Sequence, residues 1–207
     1  VLAYIQSGGT VIQYSRLFGY LAGQTFDNLL GSDNGATITG SVRGAVEMGS
    51  CLEDLSPYPQ SYTRNSPSAA KEAAKSRLVK SHSVLKSYDD CYKWLATGTG
   101  DIEIGISWTA SFADNKDGVI EQQSGQVYGG HALAVVGYTK RVDNQGRKYL
   151  LMINSHGEGW GKMGRAEVAP ALFDKWGKDR HSELIGVRDQ SGDFVPRKVP
   201  TYVGMVA

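Results

Sequence analysis

The spacing of hydrophobic residues changes along the chain, from a helical period in its first half to alternation after about residue 100. Within residues 37–48 the apolar side chains recur three and four positions apart, which places them on one face of a helix. Residues 101–109 alternate strictly, so one face of an extended strand would carry Ile102, Ile104, Ile106 and Trp108. Helices followed by antiparallel strands predict an α+β fold in which the two kinds of element are segregated.

Helices are predicted in the first half over residues 15–22, 37–48, 66–78 and 87–96. Ser66 and Ser87 are the expected N-caps of the last two, since a serine hydroxyl accepts a hydrogen bond from the first turn. Gly49 supplies a C-terminal stop for the second helix. Residues 1–6 have the pattern of a helix end and are too few to form a helix alone. We therefore expect that helix to begin before Val1.

Strands are predicted in the second half over residues 101–109, 132–138, 149–153, 165–168 and 201–206, with a short helix over residues 170–176. His131 directly precedes the second strand, and Asn154 directly follows the third. If these strands pair as an antiparallel hairpin, the two side chains meet at one edge of the sheet. A lone histidine at a strand end is more often an inert, hydrogen-bonded residue. Beside Asn154, however, His131 has the arrangement of a general base with its orienting group.

Composition and charge narrow the class of partner. The chain has 207 residues, which suits one domain or two small lobes. Its formal net charge of +1 gives no bulk attraction to nucleic acid or to an acidic membrane surface. No apolar run approaches the roughly 20 residues that a membrane-spanning helix requires. We therefore expect neither a nucleic-acid partner nor a membrane partner.

The two cysteines, Cys51 and Cys91, are too few for a disulfide scaffold and are wrongly spaced for a zinc site. They could pair with each other, although nothing in the sequence indicates an oxidising compartment. Cys91 lies within an amphipathic helix beside Tyr92 and Trp94, which favours a place in the core.

The segments GGHALAVVGY (129–138) and YLLMINSHGEGWGKMGRAEV (149–168) resemble the papain-like cysteine peptidases. In that family the corresponding stretches carry the catalytic histidine and the catalytic asparagine, and the asparagine opens an Asn-Ser-Trp-Gly loop that ends in Gly-Trp-Gly. The segments YSRLFGYLAG (14–23) and TGSVRGAVEMGSCLEDLSPYP (39–59) are similar to the helical lobe of the bacterial and viral branch. The resemblance covers roughly residues 1–170.

The resemblance implies a helical lobe over residues 1–100, starting within the central helix, and an antiparallel, barrel-like β lobe over residues 101–207. It implies an endopeptidase that attacks a peptide carbonyl with a thiolate, uses His131 as base and then as acid, and orients it with Asn154. The implied thiol lies at the N-terminus of a long helix, where the helix dipole and the histidine lower its pKa. The expected partner is a peptide or protein substrate, and no cofactor or metal is expected.

No cysteine of this chain lies at the position expected for the family's nucleophile. In the family the catalytic histidine follows the nucleophile by ~130–150 residues, so counting back from His131 reaches Val1 or up to about 20 residues before it. Residues 1–50 contain no cysteine, and Cys51 stands where the branch has a non-catalytic cysteine. The nucleophile is therefore expected upstream of Val1, with residues 1–6 as the far end of its helix.

A second departure is His156, where the family has a tryptophan that shields the histidine–asparagine hydrogen bond from water. A histidine shields less and adds a titratable ring beside the pair, which fits either a non-catalytic site or a variant loop. The other histidines, His82 and His181, lie in polar surroundings and are expected at the surface.

Alternative functions remain open from the sequence. One is a catalytically inactive papain-like subunit with protein partners in an assembly, such as a phage particle, which His156 and the missing thiol favour. Another is a different Cys-His acyl-transfer enzyme, such as a transglutaminase-like or amidase fold. The latter would share the logic of the triad but not the layout of residues 129–161.

Overall fold

The computed structural model describes residues 13–59, 61–98 and 100–188. Its helices and strands are α1 (Arg16–Asp27), α2 (Ile38–Glu47), α3 (Ser68–Ala74), β1 (Ser81–Val84), α4 (Tyr88–Ala96), β2 (Asp101–Thr109), α5 (Ala110–Ala113), β3 (Val119–Ile120), β4 (Val127–Val142), β5 (Lys148–Ile153), β6 (Arg165–Val168), α6 (Pro170–Trp176) and β7 (Glu183–Arg188). The described residues fall into two compact units, residues 13–82 with Arg188 and residues 83–187. The predictions for residues 1–6 and for a strand over residues 201–206 lie outside the described residues.

The first unit is built on α1 and α2, both of which form where the sequence predicts helices. The Ser15 hydroxyl accepts a 2.9 Å hydrogen bond from the Phe18 amide and caps α1, and Thr37 caps α2 in the same way. Gly44 allows the two helices to approach closely, because a Cβ atom there would lie only 2.6 Å from the Ala22 methyl. Helical capping and a small residue at the contact therefore define this helix pair.

A seven-stranded sheet with the order β1-β7-β2-β4-β5-β6-β3 organises the second unit. β7, β2, β4, β5 and β6 pair antiparallel, and β3 joins β6 in parallel. The α+β class is therefore confirmed. Across residues 100–188 the sheet does not close on itself, so it is an open mixed sheet rather than the barrel-like one that we predicted.

The main core lies against one face of this sheet. Every second residue of β2 is buried, which confirms the strand predicted from strict alternation. The buried isoleucines of β2 pair in register with Val135, Leu133 and His131 of the neighbouring strand β4. α4 and α6 contribute Leu95, Phe173 and Trp176 to the same core. His131 therefore belongs to the row of β4 residues that faces the core.

The prediction that His131 precedes a strand is wrong, because β4 begins at Val127 and continues for 16 residues. Gly129 and Gly130 pair with Trp108 and Ser107 of β2. Two glycines give no hydrophobic signal, so the pattern does not reveal that the strand includes them. His131 therefore lies inside β4, held by ladder pairing on its β2 side.

Of the two predicted serine N-caps, one is confirmed and one is wrong. Ser87 caps α4 as predicted, accepting a 3.1 Å hydrogen bond from the Asp90 amide. The prediction that Ser66 caps α3 is wrong, since Pro67 occupies that position without a side-chain bond. The strands β1, β3 and β7 were not predicted from the sequence. The division into lobes at residues 100 and 101 stays a prediction.

Candidate active site

Strands β4 and β5 bring His131 and Asn154 together. The two strands pair antiparallel with Ala134 opposite Ile153, so Asn154 begins the loop beside the His131 segment of β4. The Asn154 amide donates a 3.0 Å hydrogen bond to the Gly164 carbonyl and so closes the loop at its base. Nε2 of His131 and Oδ1 of Asn154 are 2.9 Å apart. The two side chains selected from the sequence are thus in direct contact.

The hydrogen bonds of Asn154 define which atom faces the imidazole. Its Oδ1 also lies 2.8 Å from the Ser155 amide, and an atom that meets this N–H donor must be the carbonyl oxygen. Nε2 of His131 therefore donates to it, which leaves the lone pair on Nδ1. No hydrogen-bond partner for Nδ1 lies in the part of the chain that the structure describes. This is the tautomer in which Nδ1 can accept a proton.

The Asn154 side chain is held by its oxygen. The residue is only 9% exposed, and its Nδ2 is buried without a hydrogen-bond partner among the residues described. An unpaired buried donor costs about 1–3 kcal/mol. The orientation of the amide thus depends on the bonds that Oδ1 accepts from His131 and from the Ser155 amide.

Trp108, at the end of β2, supplies an aromatic surface against the histidine. Its ring centroid is 4.4 Å from that of His131, and the indole also packs against Phe112 and Trp160. The sequence placed Trp108 on the buried face of β2 but did not connect it with the site. The connection follows only from the β2–β4 register, in which Ile106 pairs with His131 and makes Trp108 its diagonal neighbour.

His156 supplies a second ring at the same place. Its centroid lies 4.8 Å from that of His131 and 5.3 Å from that of Trp108, to which it is nearly perpendicular. The side chain of His156 is exposed, whereas His131 is half-buried. The loop therefore still places a ring against His131, but that ring is polar, titratable and in contact with solvent.

The surroundings of His131 favour its neutral form. Burial lowers its pKa, the hydrogen bond that it donates to Asn154 raises it, and the neighbouring His156 lowers it further, with a net lowering from the ordinary value. The imidazole is thus a base that has a free lone pair on Nδ1 at neutral pH.

The cysteines are both buried free thiols, so the alternative of a Cys51–Cys91 disulfide is wrong. Cys91 is part of the core of the second unit, as predicted, and burial raises its pKa to about 12. Burial also raises the pKa of Cys51. A nucleophilic cysteine needs an exposed thiol with a lowered pKa. Neither thiol has that character.

The loop after Asn154 is anchored at its far end by Trp160. This side chain is 4% exposed and its indole N–H donates a 2.7 Å hydrogen bond to the Phe112 carbonyl. Gly161, at φ 55°, has no room for a side chain, because a Cβ there would collide with the Arg165 carbonyl oxygen. The glycine-tryptophan-glycine sequence therefore fixes the loop that carries His156.

Met163, in the same loop, has a strained backbone: its φ is 55° and its side chain is 56% exposed. The left-handed region costs an ordinary residue roughly 1–2 kcal/mol, while asparagine occupies it routinely. We expect Met163→Asn to raise the free energy of unfolding by about 1 kcal/mol, as measured by urea denaturation. Lys162→Asn is the matched control, since Lys162 has no such strain to relieve. Equal effects of the two substitutions would contradict the prediction.

Other candidate chemistry is limited. No group of three or more His, Cys, Asp or Glu side chains within residues 13–188, as far as they are described, is arranged to hold a metal ion. No helix in those residues is long and apolar enough to span a bilayer. His82 and His181 are exposed, as predicted. The His131–Asn154 pair with its two aromatic neighbours is therefore the candidate site.

Comparison with known proteins gives matches in both sequence and structure. The family model for the papain family of cysteine proteases matches residues 27–174. Cathepsin B-like CP3 of Giardia intestinalis is 38% identical over 72 residues, which is 35% of this chain and 23% of the Giardia protein. The matched part therefore spans less than a quarter of that relative.

Solved structures share the fold at low sequence identity. Xylellain, a cysteine protease from Xylella fastidiosa, superposes with a TM-score of 0.71 at 18% identity and covers 90% of this chain and 74% of its own. Bromelain from Ananas comosus, solved in complex with the E64 inhibitor, gives a TM-score of 0.59 at 17% identity over 90% of this chain and 83% of its own. These likenesses confirm the papain-like fold. Because the family model matches more than half of its residues, the chain belongs to the papain family of cysteine proteases.

Proposed function

We propose that this chain is the C-terminal portion of a papain-like cysteine endopeptidase in which His131 is the general base and acid and Asn154 orients it. The observation that carries the proposal is the 2.9 Å contact between His131 Nε2 and Asn154 Oδ1, which leaves the Nδ1 lone pair available. That arrangement has the base and the orienter of a nucleophilic triad, which a thiol would complete.

The reaction follows from this geometry. His131 Nδ1 takes the proton of the thiol, and the thiolate sulfur forms a bond to the carbonyl carbon of a peptide while the carbonyl electron pair moves to oxygen. As that pair returns, the C–N bond breaks and Nδ1 gives its proton to the leaving amine. Water then attacks the thioester, losing a proton to Nδ1, and the thiol leaves with that proton. Throughout, Asn154 accepts from Nε2 and keeps the ring in place.

The nucleophile in this proposal is a cysteine upstream of Val1. Neither thiol of the chain suits the role, because Cys51 and Cys91 are buried and have raised pKa values. The spacing typical of papain relatives, ~130–150 residues before the histidine, also reaches a position at or before Val1. A helix N-terminus there would lower the pKa of the thiol, and His131 would pair with the thiolate.

The test uses the protein with its natural sequence upstream of Val1. We expect it to hydrolyse a fluorogenic peptide and to be inactivated by E64, the inhibitor with which bromelain was solved. His131→Gln should lower kcat/KM by about 10³-fold, since it removes the general base and acid. His181→Gln, a change at an exposed histidine, should leave the rate unchanged. Full activity of the His131 variant, or absence of any cysteine upstream, would contradict the proposal.

A second candidate function is an inactive papain-like binding subunit of a larger assembly, such as a phage particle. It is favoured by the polar, exposed His156 in the position of the family's shielding tryptophan. In this case the start of the upstream helix should carry a residue that is not a nucleophile. His131→Gln would then leave partner binding intact, and detection of E64 labelling in the wild type would exclude this alternative.

A further inference from the structure

The candidate site contains two imidazole rings that differ in their exposure to solvent. The centroids of His131 and His156 lie 4.8 Å apart at an interplanar angle of 44°. Both rings pack on Trp108, His131 at 4.4 Å and His156 at 5.3 Å. His131 is half-buried and bonded to Asn154, whereas His156 is exposed. His156 is thus the outer, solvent-exposed ring, and His131 is the inner one.

Few other charges lie on the elements that surround this pair. β4 has no charged residue between Val127 and Tyr138 except His131, and the residues that flank Trp108 on β2 are a serine and a threonine. The short helix α5 is uncharged and is followed by Asp114. The loop that carries His156 also contains Glu158 and Lys162, which are of opposite sign. Among the described residues, therefore, His156 is the titratable group in ring contact with His131.

We propose that His156 controls whether His131 can hold a proton and so sets the acidic limit of the reaction. This inference rests on the proposed function. Two cations at this separation each disfavour the charge of the other, and the partly buried position of His131 weakens solvent screening. A neutral His156 permits the His131 imidazolium, whereas a protonated His156 opposes it.

The sign of the effect on the reaction follows directly. The active form requires that the thiol proton reside on His131 Nδ1, so a cation in ring contact with His131 opposes the transfer of that proton from the thiol. With a protonated imidazole at position 156, more of the enzyme therefore holds a neutral thiol and the rate falls. An imidazole carries no charge at alkaline pH. The alkaline limit, at which His131 loses its proton, is independent of His156.

The first test measures the coupling without catalysis. In an NMR titration of the imidazole resonances of the full protein with its nucleophilic thiol alkylated, so that no thiolate pairs with His131, His156→Gln should raise the pKa of His131 by roughly half a unit to one unit. His82→Gln, at an exposed histidine of β1, is the matched control and should cause no change. An unchanged His131 pKa in His156→Gln would overturn the inference.

The second test is the pH profile of kcat/KM. His156→Gln should move the acid limb to lower pH by roughly half a unit to one unit and leave the alkaline limb in place. His156→Lys, which carries a charge over the whole range, should lower kcat/KM at neutral pH by about 10-fold. An equal loss at every pH, or movement of both limbs, would overturn the inference in favour of a structural role. A wild type without hydrolysis contradicts the proposed function, and the NMR shift alone then decides the role of His156.

Discussion

Trp108→Ala is expected to lower the free energy of unfolding by about 3–5 kcal/mol, the range for removing a buried tryptophan. The side chain is 7% exposed and its ring contacts those of Phe112, Trp160 and His131. Removal of the indole would leave a cavity beside the rings of Phe112, Trp160 and His131. The lost contacts and the cavity both destabilise the folded state. Urea denaturation, followed by far-ultraviolet circular dichroism, measures the change.

Two further variants separate packing from other causes. Trp108→Phe keeps an aromatic ring against His131 and should recover at least half of the lost stability. Tyr128→Ala removes an aromatic side chain that is 56% exposed from the neighbouring strand, and should change stability by less than about 0.5 kcal/mol. A loss below about 1 kcal/mol for Trp108→Ala would show that the aromatic contacts contribute little.

Asn154→Ala is expected to lower kcat/KM by about 10²-fold in the protein with its upstream segment, because His131 loses the acceptor that holds its tautomer and orientation. The substitution also removes the unpaired Nδ2, so the effect on stability should be small. Steady-state hydrolysis of a fluorogenic peptide, compared with a urea unfolding curve of the same variant, separates the two effects.

Asn154→Asp is the matched variant, since it keeps an oxygen 2.9 Å from Nε2 of His131. It should retain activity within about 10-fold of the wild type, and its alkaline limb should move to higher pH because a carboxylate stabilises the imidazolium. If Asn154→Ala and Asn154→Asp lose the same activity, the acceptor at this position does not orient the base.

The sequence predicted those features of the fold that depend on local patterns. Strict alternation identified β2, and the capping side chain of Ser87 located the start of α4. The contact between His131 and Asn154 was also accessible, because an antiparallel hairpin brings the two ends of its strands together whatever the rest of the fold does. Each of these features depends on the pattern within one element or on one hairpin of two consecutive strands, β4 and β5.

The features that the sequence did not reveal depend on pairing between strands that are not consecutive along the chain, such as β2 and β4. Gly129 and Gly130 have no strand signal of their own and become part of β4 only because β2 pairs with them. The role of Trp108 depends on the same register, which brings a residue 23 positions away in sequence against His131. Strands as short as β3 carry too few residues for periodicity to identify.

The location of the nucleophile is the central claim, and mass spectrometry of the E64-labelled protein tests it most directly. The protein with its natural upstream sequence is treated with E64, digested, and mapped for the modified residue. We expect one label per chain, on a cysteine upstream of Val1, and none on the buried Cys51 or Cys91. His131→Gln should slow this labelling strongly, because it removes the group that forms the thiolate. A label on Cys51 or Cys91, or no label in a folded protein, would contradict the account.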